Sequence, residues 1–490
     1  MKRKVLLFIL VVAIAGTAVW AVTPSFAEEK KPWELINWDE PKIAAERILA
    51  DEWIPPKGWE ETVKGVDKLV ITNCGGMKGD IATLINFKIF TKKTGIQIEP
   101  VVYYETDDQN MVYLASKNPN IHIIQISRNA TSFKHFAAAG WLQKVNEIWT
   151  PSIKALYFPE ELKGIMYKGD FYGEPGIGFP FLIYYRPSWL ARAGVALPSN
   201  YEELYEAAKK MREWCKKNIG KDVYGFSFGL QSGTVWIDDA MRILLTPMGE
   251  RLHDPETEKL RLNTPGFKAA WDWYLRMIKE DIAPKANITQ THIQAAELFG
   301  MGKAAFCIGM ASFGPRFEVD FPAVKGDWKA IAPFTSFDGV RGPYPRGSYY
   351  DYDGYYINSA IDDKHKAAAM LFLDFHRSME AMANEVLVEG NDSPLAAAYE
   401  NPNLPGLIHW DIVKKAAQEL GRSVPPRYTE IPYKDVRLGA AKSAVMETYL
   451  PGAARAMTTI SEYWTKAALG ELSSEEALTE VQKRVAIYGF

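Results

Sequence analysis

Between residues 68 and 139 short apolar runs alternate with segments of helical period, and this rhythm constrains the fold more than any other feature of the chain. Lys68-Leu69-Val70-Ile71-Thr72 is rich in β-branched residues and stops at Asn73-Cys74-Gly75-Gly76. Over residues 80–93 the side chains Ile81, Leu84, Ile85 and Phe90 recur near helical spacing, and Thr94-Gly95 ends the segment. A second strand follows at 96–104, a helix at 107–117 closed by Asn118-Pro119-Asn120, a third strand at 121–126 and a third helix at 132–139. This succession means right-handed crossovers and a parallel sheet. Ligands of such sheets sit beyond the carboxyl ends of the strands, which places Asn73, Tyr104 and Gln125 near a potential site.

A second α/β region starts near residue 199. Ser199-Asn200-Tyr201-Glu202 reads as a capping box opening a helix over 199–217, and 223–228 as a strand. Thr264-Pro265 opens a helix whose residues Phe267, Ala270, Trp271, Tyr274, Leu275 and Ile278 form one apolar stripe. Strands are expected at 303–308 and 355–357, a helix at 363–377, and a closing helix behind the capping box of Ser473 and Glu476. A chain of 490 residues has room for two or three such domains, each with a sizeable core.

The N-terminus carries a different signal. Met1-Lys2-Arg3-Lys4 is a positive cluster, residues 5–22 are an almost unbroken apolar run, and Ser25-Phe26-Ala27 offers small residues before Glu28. Residues 1–27 read as a cleaved secretory signal peptide; the alternative is an uncleaved anchor, since the run has the length of a spanning helix. Residues 28–65 read as a lead-in with one short helix over 41–51 and then a loop, ordered structure beginning in earnest at Lys68. Three distant cysteines, Cys74, Cys215 and Cys307, allow at most one disulfide, so a core rather than a disulfide framework must hold the fold. A net charge of −3 argues against nucleic acid or an anionic membrane as partner.

Catalytic motifs are absent. The seven histidines form no H-E-x-x-H, there is no G-x-S-x-G, and Gly302-Lys303 lacks the first glycine of a P-loop because position 297 is Glu. His365 and His376 flank a helix and read as solvated or packed rather than metal-ligating. Asp351 and Asp353 lie two residues apart among tyrosines, share one face if extended, and suit acceptance of sugar hydroxyls; the bland alternative is a solvated loop. Rings in loops at strand ends (Tyr103, Tyr104, Phe228, Trp236, Phe313, Tyr349 and Tyr352) are candidates for stacking on the apolar face of a sugar, against the alternative that they are core.

Four segments resemble the extracellular solute-binding proteins of family 1, the maltose-binding-protein-like sugar-binding proteins of ABC transporters. Phe90-Thr91-Lys92-Lys93-Thr94-Gly95-Ile96-Gln97-Ile98 is similar to the family's first helix and second strand. Phe171-Tyr172-Gly173-Glu174-Pro175 with Ile183-Tyr184-Tyr185-Arg186 and Leu190-Ala191-Arg192-Ala193-Gly194 is similar to its crossing into a second lobe. Leu298-Phe299-Gly300-Met301-Gly302-Lys303-Ala304-Ala305-Phe306 and Leu469-Gly470-Glu471-Leu472-Ser473-Ser474-Glu475-Glu476-Ala477-Leu478 complete the series in family order. The sequence departs from the family pattern at Arg186, where Asn is common, and at Met310-Ala311-Ser312-Phe313, where only Phe313 can replace a stacking tryptophan.

The resemblance implies an α/β, two-lobed periplasmic-binding-protein fold of type II with the ligand between the lobes. The expected lobes are 66–178 plus 354–378 and 179–348 plus 379–490, with hinge crossings near 179–182, 349–353 and 378–381 and Gly390-Asn391-Asp392-Ser393-Pro394 as a cleft loop of the second lobe. Expected ligand contacts are Tyr104, Gln125, Arg128, Gln231, Trp236, Asp238, Phe313, Asp351 and Asp353, with Arg128 alternatively pairing a structural carboxylate. The implied function is capture of a small polar solute, a carbohydrate or else a polyol, by hinge closure outside the cytoplasm, for the permease subunits of an ABC importer. No cofactor, metal, catalytic residue or nucleic acid is expected, and the chain is expected to be a monomer. The alternatives are a secreted carbohydrate-active enzyme and a sensory receptor on the same fold.

Overall fold

The computed structural model describes residues 30–73, 80–102, 108–126, 129–231, 236–254, 257, 259–337, 342–343, 346–445 and 453–489. The expected signal peptide lies outside the described residues.

The rhythm of the first region becomes three parallel strands, β1 (Lys68–Asn73), β2 (Gln97–Val102) and β3 (Ile123–Ile126), with β1 paired to both others and helices Ile81–Thr94 and Asp108–Ala115 as crossovers. Asp80 caps the first helix by accepting from Thr83 N, and Gly95 closes it at φ 78°, where a side chain would be strained. A short hairpin, β4 (Met166–Tyr167) and β5 (Asp170–Phe171), precedes the long β6 (Gly173–Tyr185). Then come β7 (Tyr224–Ser227), β8 (Ala304–Met310), β9 (Lys329–Ile331), β10 (Ser348–Ile357) and β11 (Ala444–Val445). Apart from the hairpin they form one nine-stranded sheet in the order β2-β1-β3-β10-β6-β8-β7, with β9 beside β6 and β11 beside β10.

The 13-residue β6 and the first half of β10 are absent from the strand reading of the sequence. Gly173-Glu174-Pro175-Gly176-Ile177-Gly178-Phe179-Pro180 has the composition of a loop. Its glycines serve close backbone approach instead: a Cβ on Gly176 would lie 2.8 Å from the Asp353 carbonyl oxygen.

Three apolar clusters hang on this sheet. The first gathers residues between Trp33 and Tyr172 with residues between Tyr355 and Ala444. The second gathers residues between Phe181 and Tyr349 with the helices Ala453–Leu469 and Ser474–Ile487. The third covers the other face of the same strands: along β6, Phe181 and Ile183 enter the second cluster while Leu182 and Tyr184 enter the third, as strand alternation requires.

Three expectations need correction. Residues 30–66 are built into the first core rather than forming a loose lead-in: Trp33, Trp38 and Trp53 are buried, and Arg47 donates to Asp374 at 2.8 Å from a fully buried position on the helix Ala44–Leu49. Residues 379–444, read from sequence as part of the second lobe, pack mainly with the first core, Tyr433 and Val436 joining the third cluster. The helix Met379–Asn384 and the π-helical turn Glu385–Glu389 are tied there by Asn86 Nδ2 donating to Glu385 Oε1 (2.9 Å) and Ile81 N donating to Glu389 Oε2 (2.9 Å). The expected capping box near Ser199 does not form: Asn200 is the cap, one residue later, accepting from Glu203 N, and the Glu203 side chain reaches back to Ser199 N at 2.8 Å, before the cap, whereas Ser473 and Glu476 form their box as read.

Candidate functional site

The two long strands are the only strands described that reach both cores. Near its start β6 pairs with β10 beside the first core, and its far end pairs with β8 inside the second. The antiparallel register sets Phe179 opposite Asp351 and Pro180 opposite Tyr350, so the two segments read from sequence as separate crossings are hydrogen-bonded neighbours.

On the first-core side, β3 and β10 bring Gln125 and Asp353 together, Gln125 Nε2 lying 3.5 Å from Asp353 Oδ2. Gln125 is fixed from behind. Its backbone N donates to Thr72 Oγ1 (3.1 Å), Thr72 Oγ1 donates to Asn110 Oδ1 (2.9 Å), and Asn110 Nδ2 donates to the Gln125 carbonyl (2.9 Å). This closed ring of polar groups fixes the Gln125 backbone at the end of β3, from which its side-chain amide reaches the Asp353 carboxylate; both residues are buried in this form, 2% and 8% exposed.

On the second-core side the Tyr349 hydroxyl donates to Asp239 Oδ1 at 2.6 Å, Phe181 stacks on the Tyr349 ring at 5.9 Å, and the Arg242 guanidinium lies 5.6 Å from that ring's centre. Sequence reasoning flagged Tyr349 but missed Asp239 and Arg242, whose i, i+3 spacing behind Trp236 is the available signal. Beside them a cavity of about 20 Å³, bordered by Phe181, Phe228, Asp239, Tyr274 and His292, has room for one water molecule and not for a sugar.

The other expected contacts divide as follows. Tyr104 and Arg128 lie outside the described residues. Trp236 and Asp238 open the helix Trp236–Leu245, and Asp351 lies in β10, but the side chains of all three lie outside the described residues. Gln231 lies in the segment after β7 with φ 27°, its N donating to the Gln290 carbonyl at 3.0 Å. Phe313 is a correction: it is 1% exposed and stacked on Phe317 at 5.9 Å inside the third cluster, so its ring face is taken by protein. Phe228 is likewise core, 4.6 Å from Tyr274.

The expected cleft loop around Asp392 is also corrected. Asp392 is fully buried and exchanges backbone hydrogen bonds with Gly178 of β6 (2.7 and 3.0 Å), while its carboxylate accepts from Arg437 Nε at 3.0 Å and from the Tyr399 hydroxyl. His376 is packed, as read, with Nδ1 3.2 Å from Glu174 Oε2; burial raises the Glu174 carboxyl above its ordinary value. Burial also pushes Asp374 up, but Arg47 and Arg377 outweigh it and hold the carboxyl low. Among the described residues there is no cluster of metal-ligating side chains and no helix long and apolar enough to cross a membrane.

Two α/β bodies sharing a pair of crossing strands, with polar groups gathered beside the crossing, define the class of two-lobed solute-binding proteins. The profile of the bacterial extracellular solute-binding protein family matches residues 75–383, and the chain belongs to that family, whose members bind solutes rather than transform them. Solved structures agree on the fold. Maltose-bound MalE3 of T. maritima is 18% identical over 86% of this chain and 99% of its own, with a TM-score of 0.68. The GacH receptor of Streptomyces glaucescens, solved unliganded and with acarbose, is 14% identical over 85% and 97%, with a TM-score of 0.68. A solute-binding protein of Agrobacterium radiobacter in complex with ribitol is 18% identical over 86% and 98%, with a TM-score of 0.66. No curated protein sequence matches the chain.

Proposed function

We propose that the chain is the extracytoplasmic solute-binding component of an ABC importer, taking up a carbohydrate or a related polyol by hinge closure and releasing it chemically unaltered. The observation that carries this reading is the direct pairing of β6 with β10 at Pro180 and Tyr350. Two adjacent crossings form one axis, about which the bodies on either side can rotate. A solute that touches both bodies makes all its contacts only when they close, so its differential affinity shifts the population toward the closed form. Support for the ligand class comes from the solved neighbours, which hold maltose, acarbose and ribitol, and from the amide and carboxylate of Gln125 and Asp353.

On this reading the first lobe comprises 66–178 and 354–445 with residues 30–65 strapped to it, the second comprises 179–348 and 453–489, and the hinge lies at 179–182 and 349–353. Tyr104, Arg128, Gln231, Trp236, Asp238 and Asp351 are proposed contacts beside Gln125 and Asp353. Residues 1–27 direct export and are removed, the mature chain is monomeric, and its partners are permease subunits.

Calorimetry against maltose, ribitol and larger maltooligosaccharides tests the ligand class; a ligand at a hundred times its dissociation constant stabilises the protein by about 2.7 kcal/mol. Small-angle scattering at saturation is expected to show contraction. Identical profiles with and without bound sugar, or recovery of a chemically altered sugar, would overturn the reading.

A further inference from the structure

The first turn of the helix Trp236–Leu245 carries two of the proposed solute contacts, Trp236 and Asp238. Farther along, the second body's own core holds this helix. The Tyr274 hydroxyl donates to the Ala240 carbonyl at 2.9 Å, and the Tyr201 hydroxyl donates to the Ile243 carbonyl at 3.1 Å. The first turn has a tie of another kind. Asp239 accepts the Tyr349 hydroxyl at 2.6 Å, and Tyr349 belongs to β10, where it opens the crossing segment 349–353. A hydroxyl that donates to a carboxylate at this length makes one of the stronger hydrogen bonds of a protein interior. Neither partner is placed to touch a solute, for Asp239 is 4% exposed and Tyr349 3%. One face of the Tyr349 ring stacks on Phe181 at 5.9 Å, and the Arg242 guanidinium lies 5.6 Å from its centre, so the expectation that this ring stacks on a sugar is corrected.

The two crossing strands together fix this ring. Phe181 follows Pro180 on β6, and Pro180 lies opposite Tyr350, the residue after Tyr349 on β10. Phe181 is itself met edge-on by His292, with ring centroids 6.0 Å apart. The Tyr349 hydroxyl therefore starts from a rigid base, and what it holds is the turn that carries Trp236 and Asp238. We propose that Tyr349 and Asp239 are positioning residues for solute binding: their hydrogen bond sets the first turn of the helix Trp236–Leu245 against β10, and so places Trp236 and Asp238 relative to Asp351 and Asp353, which follow on the same strand. The second body's contacts are thereby referred to the strand that carries contacts of the first. A binding group held in this way by a buried hydrogen bond loses less freedom when solute arrives, which raises affinity without adding a contact. The inference rests on the solute-binding reading but not on which sugar or polyol is bound.

The test compares Tyr349→Phe, which removes only the hydroxyl, with Asp239→Ala, which removes the acceptor, and Asp239→Asn, which keeps an acceptor oxygen. Calorimetry with maltose and ribitol is expected to show affinity weakened about 2- to 12-fold by Tyr349→Phe and by Asp239→Ala, the factor one net hydrogen bond supplies. The double variant is expected to lose no more than either single one, and Asp239→Asn to stay nearer wild type. A merely structural bond would lower affinity equally in every background, so two backgrounds separate the roles. With Trp236→Ala and Asp238→Ala combined, which strips the contacts of that turn, adding Tyr349→Phe is expected to change affinity by less than about twofold, whereas in Gln125→Ala it keeps its full effect. Without any solute, amide hydrogen exchange over residues 236–245 is expected to quicken in Tyr349→Phe while exchange of β3 and β8 stays at the wild-type rate. Wild-type affinity in Tyr349→Phe, or a loss that is the same in both backgrounds, overturns the proposal. A wild type that binds no sugar or polyol overturns the functional reading instead, and the exchange comparison then decides whether Tyr349 positions the helix.

Discussion

Glu389→Gln is expected to abolish a pH dependence of stability that the wild-type chain carries in its first core. Glu389 ends the π-helical turn Glu385–Glu389 and is 8% exposed. Its Oε2 accepts from Ile81 N at 2.9 Å, and both oxygens lie within 3.2 Å of Arg422 Nη1. Burial pushes its carboxyl up, Arg422 pulls it down, and the charge of Asp80 pushes it up again, leaving a pKa raised from 4.5 to about 7. A raised pKa means that the folded state holds the proton more tightly than the unfolded one. The stability it contributes is complete below about pH 4.5 and is lost as the pH rises through about 7. That span, at about 1.4 kcal/mol per pH unit, corresponds to about 3 kcal/mol. Glutamine does not ionise and keeps an oxygen for the Ile81 N–H. Urea unfolding of both proteins between about pH 5 and about pH 8 should therefore show wild type losing about 2.5 kcal/mol more than the variant across the range. Glu385, also raised by burial and by Asp80, titrates in the same direction in both proteins and largely cancels in the difference. Parallel stability curves, or a steeper loss in the variant, would refute the reasoning. Because Asp80 and Ile81 open the helix that follows the carboxyl end of β1, solute affinity measured over the same range should weaken with rising pH in wild type and stay flatter in the variant.

Three further outcomes are expected. Arg47→Met breaks the buried pair with Asp374, leaving Arg377 as its remaining cationic partner, and should cost about 3–5 kcal/mol in urea unfolding; a loss below about 1 kcal/mol would mean the strap of residues 30–66 is not held as described. Phe313→Ala should cost about 3–5 kcal/mol of stability while leaving the solute dissociation constant within about twofold, because the ring is core rather than a stacking face. Gln125→Ala and Asp353→Ala should each weaken solute binding by about tenfold or more in calorimetry, as expected for loss of one well-placed hydrogen bond, and unchanged affinity would remove both residues from the site.

What the sequence made legible was whatever a local pattern determines. The helix Ile81–Thr94 and its glycine stop, the helix Pro265–Lys279 behind Thr264 and the closing helix behind Ser473 all follow from caps and from apolar spacing, and all stand within a residue or two of where the spacing put them. The long strand β6 was illegible for the opposite reason: its glycines and prolines carry no strand signal, and only the approach of β10 gives them a purpose. The strap of residues 30–66 was missed because its tryptophans and Arg47 are anchored to partners such as Asp374, more than three hundred positions away.

The same distinction explains the candidate site. Gln125 was found by a rule about where strands end and Asp353 by its i, i+2 pairing with Asp351 among tyrosines, and the fold brings the two together across 228 positions of sequence. Phe313 was proposed by substitution into a family pattern, and that inference failed because a ring's availability depends on its neighbours: Phe317 covers the face a sugar would need. Asp239 and Arg242 were missed because their importance comes from Tyr349, on a strand more than a hundred residues later. A binding site between two lobes is by construction made of non-local contacts, so topology predicts its position better than residue type predicts its members. On the proposed hinge reading, solute specificity is accordingly to be tested first at Gln125 and Asp353, which the fold sets side by side next to the β6–β10 crossing.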